Sequence, residues 1–124
     1  MLLSKPIILL DFDGCIHSYT SGWQGMEVCQ DPPVPGVFEW MLEALKTFDI
    51  SIYSARSVDP HGRRAMYEYI LRHTSEEFIR LVDFPQHKPR AFITIDDRCI
   101  CFNGNWGDPN LHPRLIREFK PWYR

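Results

Sequence analysis

Ile7-Ile8-Leu9-Leu10-Asp11-Phe12-Asp13-Gly14 is an apolar run that stops at two carboxylates one residue apart, followed by a glycine. An unbroken run of β-branched and leucine side chains reads as a strand covered on both faces, the habit of parallel sheets. The crevice beyond the carboxyl ends of such strands is where open α/β sheets bind ligands. Side chains alternate along a strand, so Asp11 and Asp13 point the same way. Two like charges that close repel unless a cation joins them or one takes a proton. The pair therefore points to Mg2+, a hard ion that prefers oxygen ligands. An exposed turn explains a single Asp after a strand but explains Asp-x-Asp-Gly poorly.

The strand belongs to a chain of 124 residues, the length of one domain with a real core. A hydrophobic fraction of 44% and a charged fraction of 24% are ordinary globular values. The formal charge of -2 exerts no general pull on nucleic acid or anionic membrane, leaving only a local basic patch for such a partner. The first residues are apolar but include Lys5 and Pro6 and reach Asp11 without a small-residue cleavage site. They read as neither signal peptide nor membrane span, and the default location is cytoplasmic. Cys15, Cys29, Cys99 and Cys101 show no Cys-x-x-Cys spacing and read as reduced thiols. Small apolar packing is their favoured role, with a zinc site built from Cys99, Cys101, Cys15 and His17 as the alternative.

Outward from the first strand, residues 14 to 33 have no helical period and read as a flap or hairpin above the strand end, turning at Ser21-Gly22-Trp23-Gln24-Gly25. Pro35-Gly36 opens a helix whose stripe is Val37, Trp40, Met41, Ala44, Leu45 and Phe48. Ile50-Ser51-Ile52-Tyr53 is a second strand ending at Ser54-Ala55-Arg56-Ser57. Asp59-Pro60 starts a second helix that buries Met66, Tyr67, Ile70 and Leu71. Phe78-Ile79-Arg80-Leu81-Val82 reads as a short strand in preference to a helix end. Ala91-Phe92-Ile93-Thr94-Ile95 is a strand ending in Asp96-Asp97-Arg98, followed by a short apolar run through Ile100 and Phe102. Asn103-Gly104-Asn105 turns the chain into a last helix with Leu111, Leu115, Ile116 and Phe119 inward, before Trp122-Tyr123. The order is that of an α/β, Rossmann-like, doubly wound and mainly parallel sheet in a single domain.

Four polar groups then stand at strand ends: Asp11 with Asp13, Ser54, Lys88 just ahead of its strand, and Asp96 with Asp97. In this order they resemble the haloacid dehalogenase-like (HAD) phosphohydrolases over roughly residues 6 to 106. The resemblance implies that Asp11 is the nucleophile that forms an aspartyl-phosphate. Asp13 then protonates the leaving oxygen and later activates water. It implies Mg2+ held by Asp11, the Asp13 carbonyl and one of Asp96 and Asp97, with Asp97 the direct ligand and Asp96 orienting neighbours. Ser54 binds a phosphoryl oxygen, Lys88 neutralises the aspartyl-phosphate, and amides near Phe12 and Gly14 complete the cradle. Arg56 either grips a phosphate or pairs with a nearby acid, and the same choice stands for Arg98.

Cys15 departs from the family pattern, where Thr or Val is usual after the glycine. About forty residues separate the first acids from Ser54, too few for an inserted cap domain. A capless member needs the flap, a partner or a large substrate to exclude water, and Trp23, His17 and Tyr19 are the candidate contacts. Ile95-Asp96-Asp97-Arg98 with Ser54-Ala55-Arg56 is similar to the phosphatase domain of polynucleotide kinase-phosphatases. A nucleic-acid terminal phosphate, a nucleotide, a sugar phosphate and pyrophosphate are all compatible phosphorylated substrates. A non-hydrolysing phosphate-binding module and a phospho-accepting receiver are the competing classes. Against a receiver, the adjacent acids come last and no mid-chain strand ends in Asp.

Overall fold

A computed structural model describes residues 5–124. The apolar opening before Lys5 lies outside the described residues. Four strands form one all-parallel sheet in the order β3-β2-β1-β4, so the protein is α/β. They are β1 (Ile7–Leu10), β2 (Asp49–Ile52), β3 (Val82–Asp83) and β4 (Ile93–Ile95). The register sets Leu10 beside Ile52 on one side and Ile95 on the other. Among the described residues no helix is long and apolar enough to cross a membrane.

Helix α1 (Val37–Ala44) leads from β1 to β2, and Gly36 caps its start at a φ of 84°, a left-handed conformation that glycine adopts freely. Helix α2 (Pro60–His73) leads toward β3. Its N-cap, Asp59, accepts from the His61 amide at 2.7 Å, and Pro60 needs no partner in the first turn. Leu10, Ile50 and Ile52 of the sheet, Met41 of α1, and Met66, Tyr69 and Ile70 of α2 form one buried cluster. Alternation puts the three sheet residues on a common face, and α1 and α2 cover it.

Several expected elements differ. The α1 stripe ends at Ala44, with Leu45 to Thr47 in turns, and within it Met41 is buried while Trp40, expected inward, is exposed. In α2 the buried aromatic is Tyr69, while Tyr67 is exposed. Residues 76–79 form a short helix, α3 (Glu76–Ile79), because Ser75 caps the Phe78 amide; the expected strand shrinks to β3, which ends at Asp83, so a mid-chain strand does end in Asp, contrary to expectation. The segment between β3 and β4 carries no helix, and the run through Ile100 and Phe102 forms no strand. Helix α4 (Pro113–Arg117) is five residues long, and Leu115, Ile116 and Phe119 are exposed, because no sheet surface reaches their side. The flap contains only isolated bridges, Asp13 with His17 and His17 with Pro33, in place of a hairpin.

Candidate active site

Ladder hydrogen bonds continue one residue past the strand ends. The Asp11 amide donates to the Ile95 carbonyl at 3.0 Å, and the Tyr53 amide to the Leu10 carbonyl at 3.1 Å. Asp11, Ser54, Asp96 and Asp97 are thereby brought to one edge of the sheet. Two adjoining hollows open there, and Asp11 and Ser54 line both. One, of about 210 Å³, also receives Asp13 and Asp97. The other, of about 220 Å³, receives Lys88 and Asp96. The two acids at the end of β4 thus face different hollows, as consecutive residues in extended chain do. Lys88 itself is exposed.

Asp97 is the least comfortable group in the site. Its side chain is 3% exposed, and its Oδ2 has no hydrogen-bond partner, only a long ion-pair contact of 3.9 Å to Arg98 Nε. Donor atoms of Asp11, Cys15 and Asp97 lie within 4.8 Å of one another. Burial, the Asp97 carboxyl and the charge of Asp96 push the Asp11 carboxyl up to about 9. Burial and the same three acids push the Cys15 thiol up to about 12. A buried carboxylate with a vacant oxygen beside a second carboxyl is an environment that a divalent cation relieves. The carboxylates of Asp11 and Asp97 are hard oxygen donors suited to Mg2+, so the residues present fit that ion. Asp96 is engaged differently, its Oδ1 accepting from the Arg98 amide at 2.8 Å.

Asp13 is fully occupied. Arg56 reaches it with two donors, Nε to Oδ2 at 2.9 Å and Nη2 to Oδ1 at 3.2 Å, and His17 Nδ1 approaches Oδ1 at 2.9 Å. The Asp31 amide donates to His17 Nε2 at 3.0 Å, which assigns the ring proton to Nδ1 and makes His17 a third donor to Asp13. Burial alone would raise Asp13, but the bonds from His17 and Arg56 outweigh it and hold the carboxyl below its ordinary range. Arg56 is completely buried and spends its remaining donors on the carbonyls of Gly25, Met26 and Val28. Of its two expected roles it takes the pairing one, tying the flap to Asp13.

Ser54 is the N-cap of a 3-10 turn, Ala55–Val58. Its hydroxyl accepts from the Arg56 amide at 3.1 Å and lies 3.3 Å from the Met66 sulfur. The Gly14 amide donates to the His17 carbonyl at 2.8 Å, so it is turned away from a phosphate cradle, whereas the Phe12 amide donates to the Asp11 carboxyl. The four cysteines are unpaired. The zinc alternative fails geometrically, because both His17 nitrogens are engaged and Cys99 and Cys101 are exposed, away from the group that Cys15 forms with Asp11 and Asp97.

The last residues of the chain complete the wall of the smaller hollow. Trp122 Nε1 donates to the Gly14 carbonyl at 2.6 Å, and Tyr123 lines the cavity of Asp11 and Asp13. Gly14 has a φ of +86°, and a Cβ there would run into the Asp97 carboxylate and lie 2.8 Å from the Tyr123 ring. Tyr19 and Trp23 line the same cavity from the flap. Tyr19, the single non-glycine residue with positive φ among the described residues, sits at 62°, a conformation that costs a bulky side chain of order 1–3 kcal/mol. Neither the Trp122 bond nor the Tyr123 contact had a local signal in the sequence. His17 had only its four-residue distance from Asp13.

Scans against protein-family models, curated proteins and solved structures return no match to this chain.

Proposed function

We propose that the protein is a small, capless HAD-like phosphohydrolase, a single doubly wound domain that cleaves a phosphate ester or anhydride through Asp11. The observation that carries this reading is the pair of abutting carboxyls, Asp11 and Asp97, with Asp97 Oδ2 buried, free of hydrogen bonds and met only at 3.9 Å by Arg98, at the carboxyl edge of a parallel sheet. Structural carboxylates are paired when buried; one left vacant beside another is kept for a ligand.

In this reading the Asp11 carboxylate attacks phosphorus, the leaving oxygen departs, and an aspartyl-phosphate forms. Asp13 then takes a proton from water, whose oxygen attacks phosphorus and releases Asp11 and inorganic phosphate. Mg2+, held by Asp11, Asp97 and the Asp13 carbonyl, would neutralise charge on the phosphoryl oxygens. Ser54 turns its hydroxyl from Met66 to the phosphate, and Lys88 approaches Asp11 from the neighbouring hollow. The three donors on Asp13 favour its ionised form, which suits the water step and disfavours the proton-donating one. Leaving groups that depart as weak bases, anhydrides and aryl phosphates, are therefore the favoured substrates. Four unpaired cysteines suit the reducing cytoplasm.

The test is Mg2+-dependent phosphate release from aryl phosphate, pyrophosphate, nucleotides, sugar phosphates and end-phosphorylated oligonucleotides, with Asp11→Asn as control. Release that requires both Asp11 and metal supports the proposal. Phosphate binding without release in any arm would favour the non-hydrolysing module, a reading to which the occupied Asp13 lends weight.

A further inference from the structure

The hollow that holds Asp11 is polar at its floor and aromatic at its rim. Tyr19 and Trp23 from the flap and Tyr123 from a distant part of the chain line the same cavity as Asp11 and Asp13. Each is anchored. The guanidinium of Arg56 lies 4.7 Å from the Trp23 ring centroid, and Arg56 cannot drift because Asp13 and three carbonyls hold it. Tyr19 meets Tyr123 edge to face, with centroids 5.7 Å apart and planes at 89°. The Tyr123 hydroxyl accepts from Arg98 Nη2 at 3.3 Å, and Trp122 beside it is tied to Gly14.

Anchoring of this kind leaves Trp23 exposed and Tyr19 and Tyr123 half-buried. Trp23 is 52% exposed although it rests on a buried cation. Tyr19 is held in a left-handed backbone conformation that a tyrosine adopts only when its surroundings impose it. Exposed, preorganised aromatic surface beside a phosphate-sized polar floor matches a ligand with a phosphate at one end and a flat ring at the other. Stacking on such rings is tolerant of which base is presented, since every base has a π-face. Arg98 at the same rim adds positive charge near an anionic ligand.

We infer that the substrate of this site is a nucleotide, its phosphate seated over Asp11 and its base stacked on the rim formed by Trp23, Tyr19 and Tyr123. This rests on the phosphohydrolase reading for the seat of the phosphate and adds the chemistry of the other end. The three aromatics are binding residues that select the substrate; the reacting atoms belong to the floor.

The test is calorimetric titration, with Mg2+, of three probes into the unsubstituted protein, in which the ionised Asp13 makes alkyl phosphate esters slow to turn over: adenosine 5'-monophosphate, ribose 5-phosphate and adenosine. The first two differ only in the base. The nucleotide is expected to bind roughly tenfold or more tighter than ribose 5-phosphate, the worth of one stacked base. Trp23→Ala and Tyr123→Ala should erase most of that difference and leave ribose 5-phosphate unchanged. Trp23→Phe, which keeps a ring, should restore it. Equal binding of nucleotide and ribose 5-phosphate overturns the inference while leaving the phosphate site intact. Adenosine binding as tightly as the nucleotide keeps the stacking rim and removes the phosphohydrolase reading beneath it. Binding of none of the probes overturns both.

Discussion

Arg56 and Asp13 form a two-point ion pair in which the arginine is entirely buried and the carboxylate nearly so, with N–O distances of 2.9 and 3.2 Å. The fork fits a carboxylate in a way that an ammonium does not. Removing Arg56 would strand Asp13 and leave the carbonyls of Gly25, Met26 and Val28 without their donors. Arg56→Ala is expected to cost about 3–5 kcal/mol, the usual penalty for leaving one buried partner uncompensated. Arg56→Lys should recover only part of it. Urea denaturation midpoints measure both, and a loss under about 1 kcal/mol for the alanine variant would contradict the structural role.

In the proposed phosphohydrolase, the same three donors bear on the choice of leaving group. A carboxylate stabilised in its charged form is a poor proton donor near neutrality, so esters that need protonation to depart are handicapped. At pH 7, turnover of p-nitrophenyl phosphate should exceed that of glycerol phosphate by about a hundredfold or more. The gap should narrow as the pH falls and the protonated fraction of Asp13 grows. Equal rates at pH 7 would show that Asp13 is released from Arg56 and His17 during turnover.

Asp11 gives the metal-free protein a defined slope with pH. Its carboxyl is raised from an unfolded value near 4 to about 9, so between those limits the folded state binds a proton that the unfolded state lacks. That contribution is complete below the unfolded value and is lost as pH rises toward 9. In chelator, the melting temperature should therefore fall from pH 5 to pH 9, by about 10 °C or more. Adding Mg2+ should flatten the slope, because the cation replaces the proton. Asp97→Asn should raise the metal-free melting temperature at pH 8 and blunt the response to Mg2+.

Gly14 has no room for a side chain. Its φ of +86° strains any other residue, and a Cβ would meet both the Asp97 carboxylate and Tyr123. Gly14→Ala should destabilise the fold by at least about 1–2 kcal/mol. It should also weaken metal binding, read by titration of the chelated protein with Mn2+. Unaltered metal affinity would show that Asp97 can move aside at no cost.

Much of the sheet and its acids was legible because those signals are local. The run Ile7 to Leu10 and the buried Met41, Met66 and Ile70 follow from apolar spacing, whereas Trp40 and Tyr67 of the same expected stripes are exposed. Asp11, Asp13 and Asp97 could be placed together because parallel strands share one carboxyl edge. The last third was harder to read, because a helical stripe such as Leu115, Ile116 and Phe119 is buried only if a partner surface exists, and the sheet ends at β4. The division of Asp96 and Asp97 between two hollows depends on the path of the chain after Ile95. The grip of Arg56 on Asp13 spans 43 residues, and no spacing rule connects them. His17 illustrates the same point at short range, since only the Asp31 amide reveals which nitrogen carries its proton.

Trp122 is synthesised 108 residues after Gly14, the residue it caps. At about 5–20 residues per second, a ribosome makes Gly14 roughly 5–20 seconds before it makes the indole that bonds to it. During that interval the nascent chain has the Asp11–Asp13–Gly14 turn but lacks Tyr123 at the rim. The Gly14–Trp122 tie and the Tyr123 wall can therefore form only after the strands of the sheet have been made, and a chain cut before Trp122 should keep the sheet while losing both.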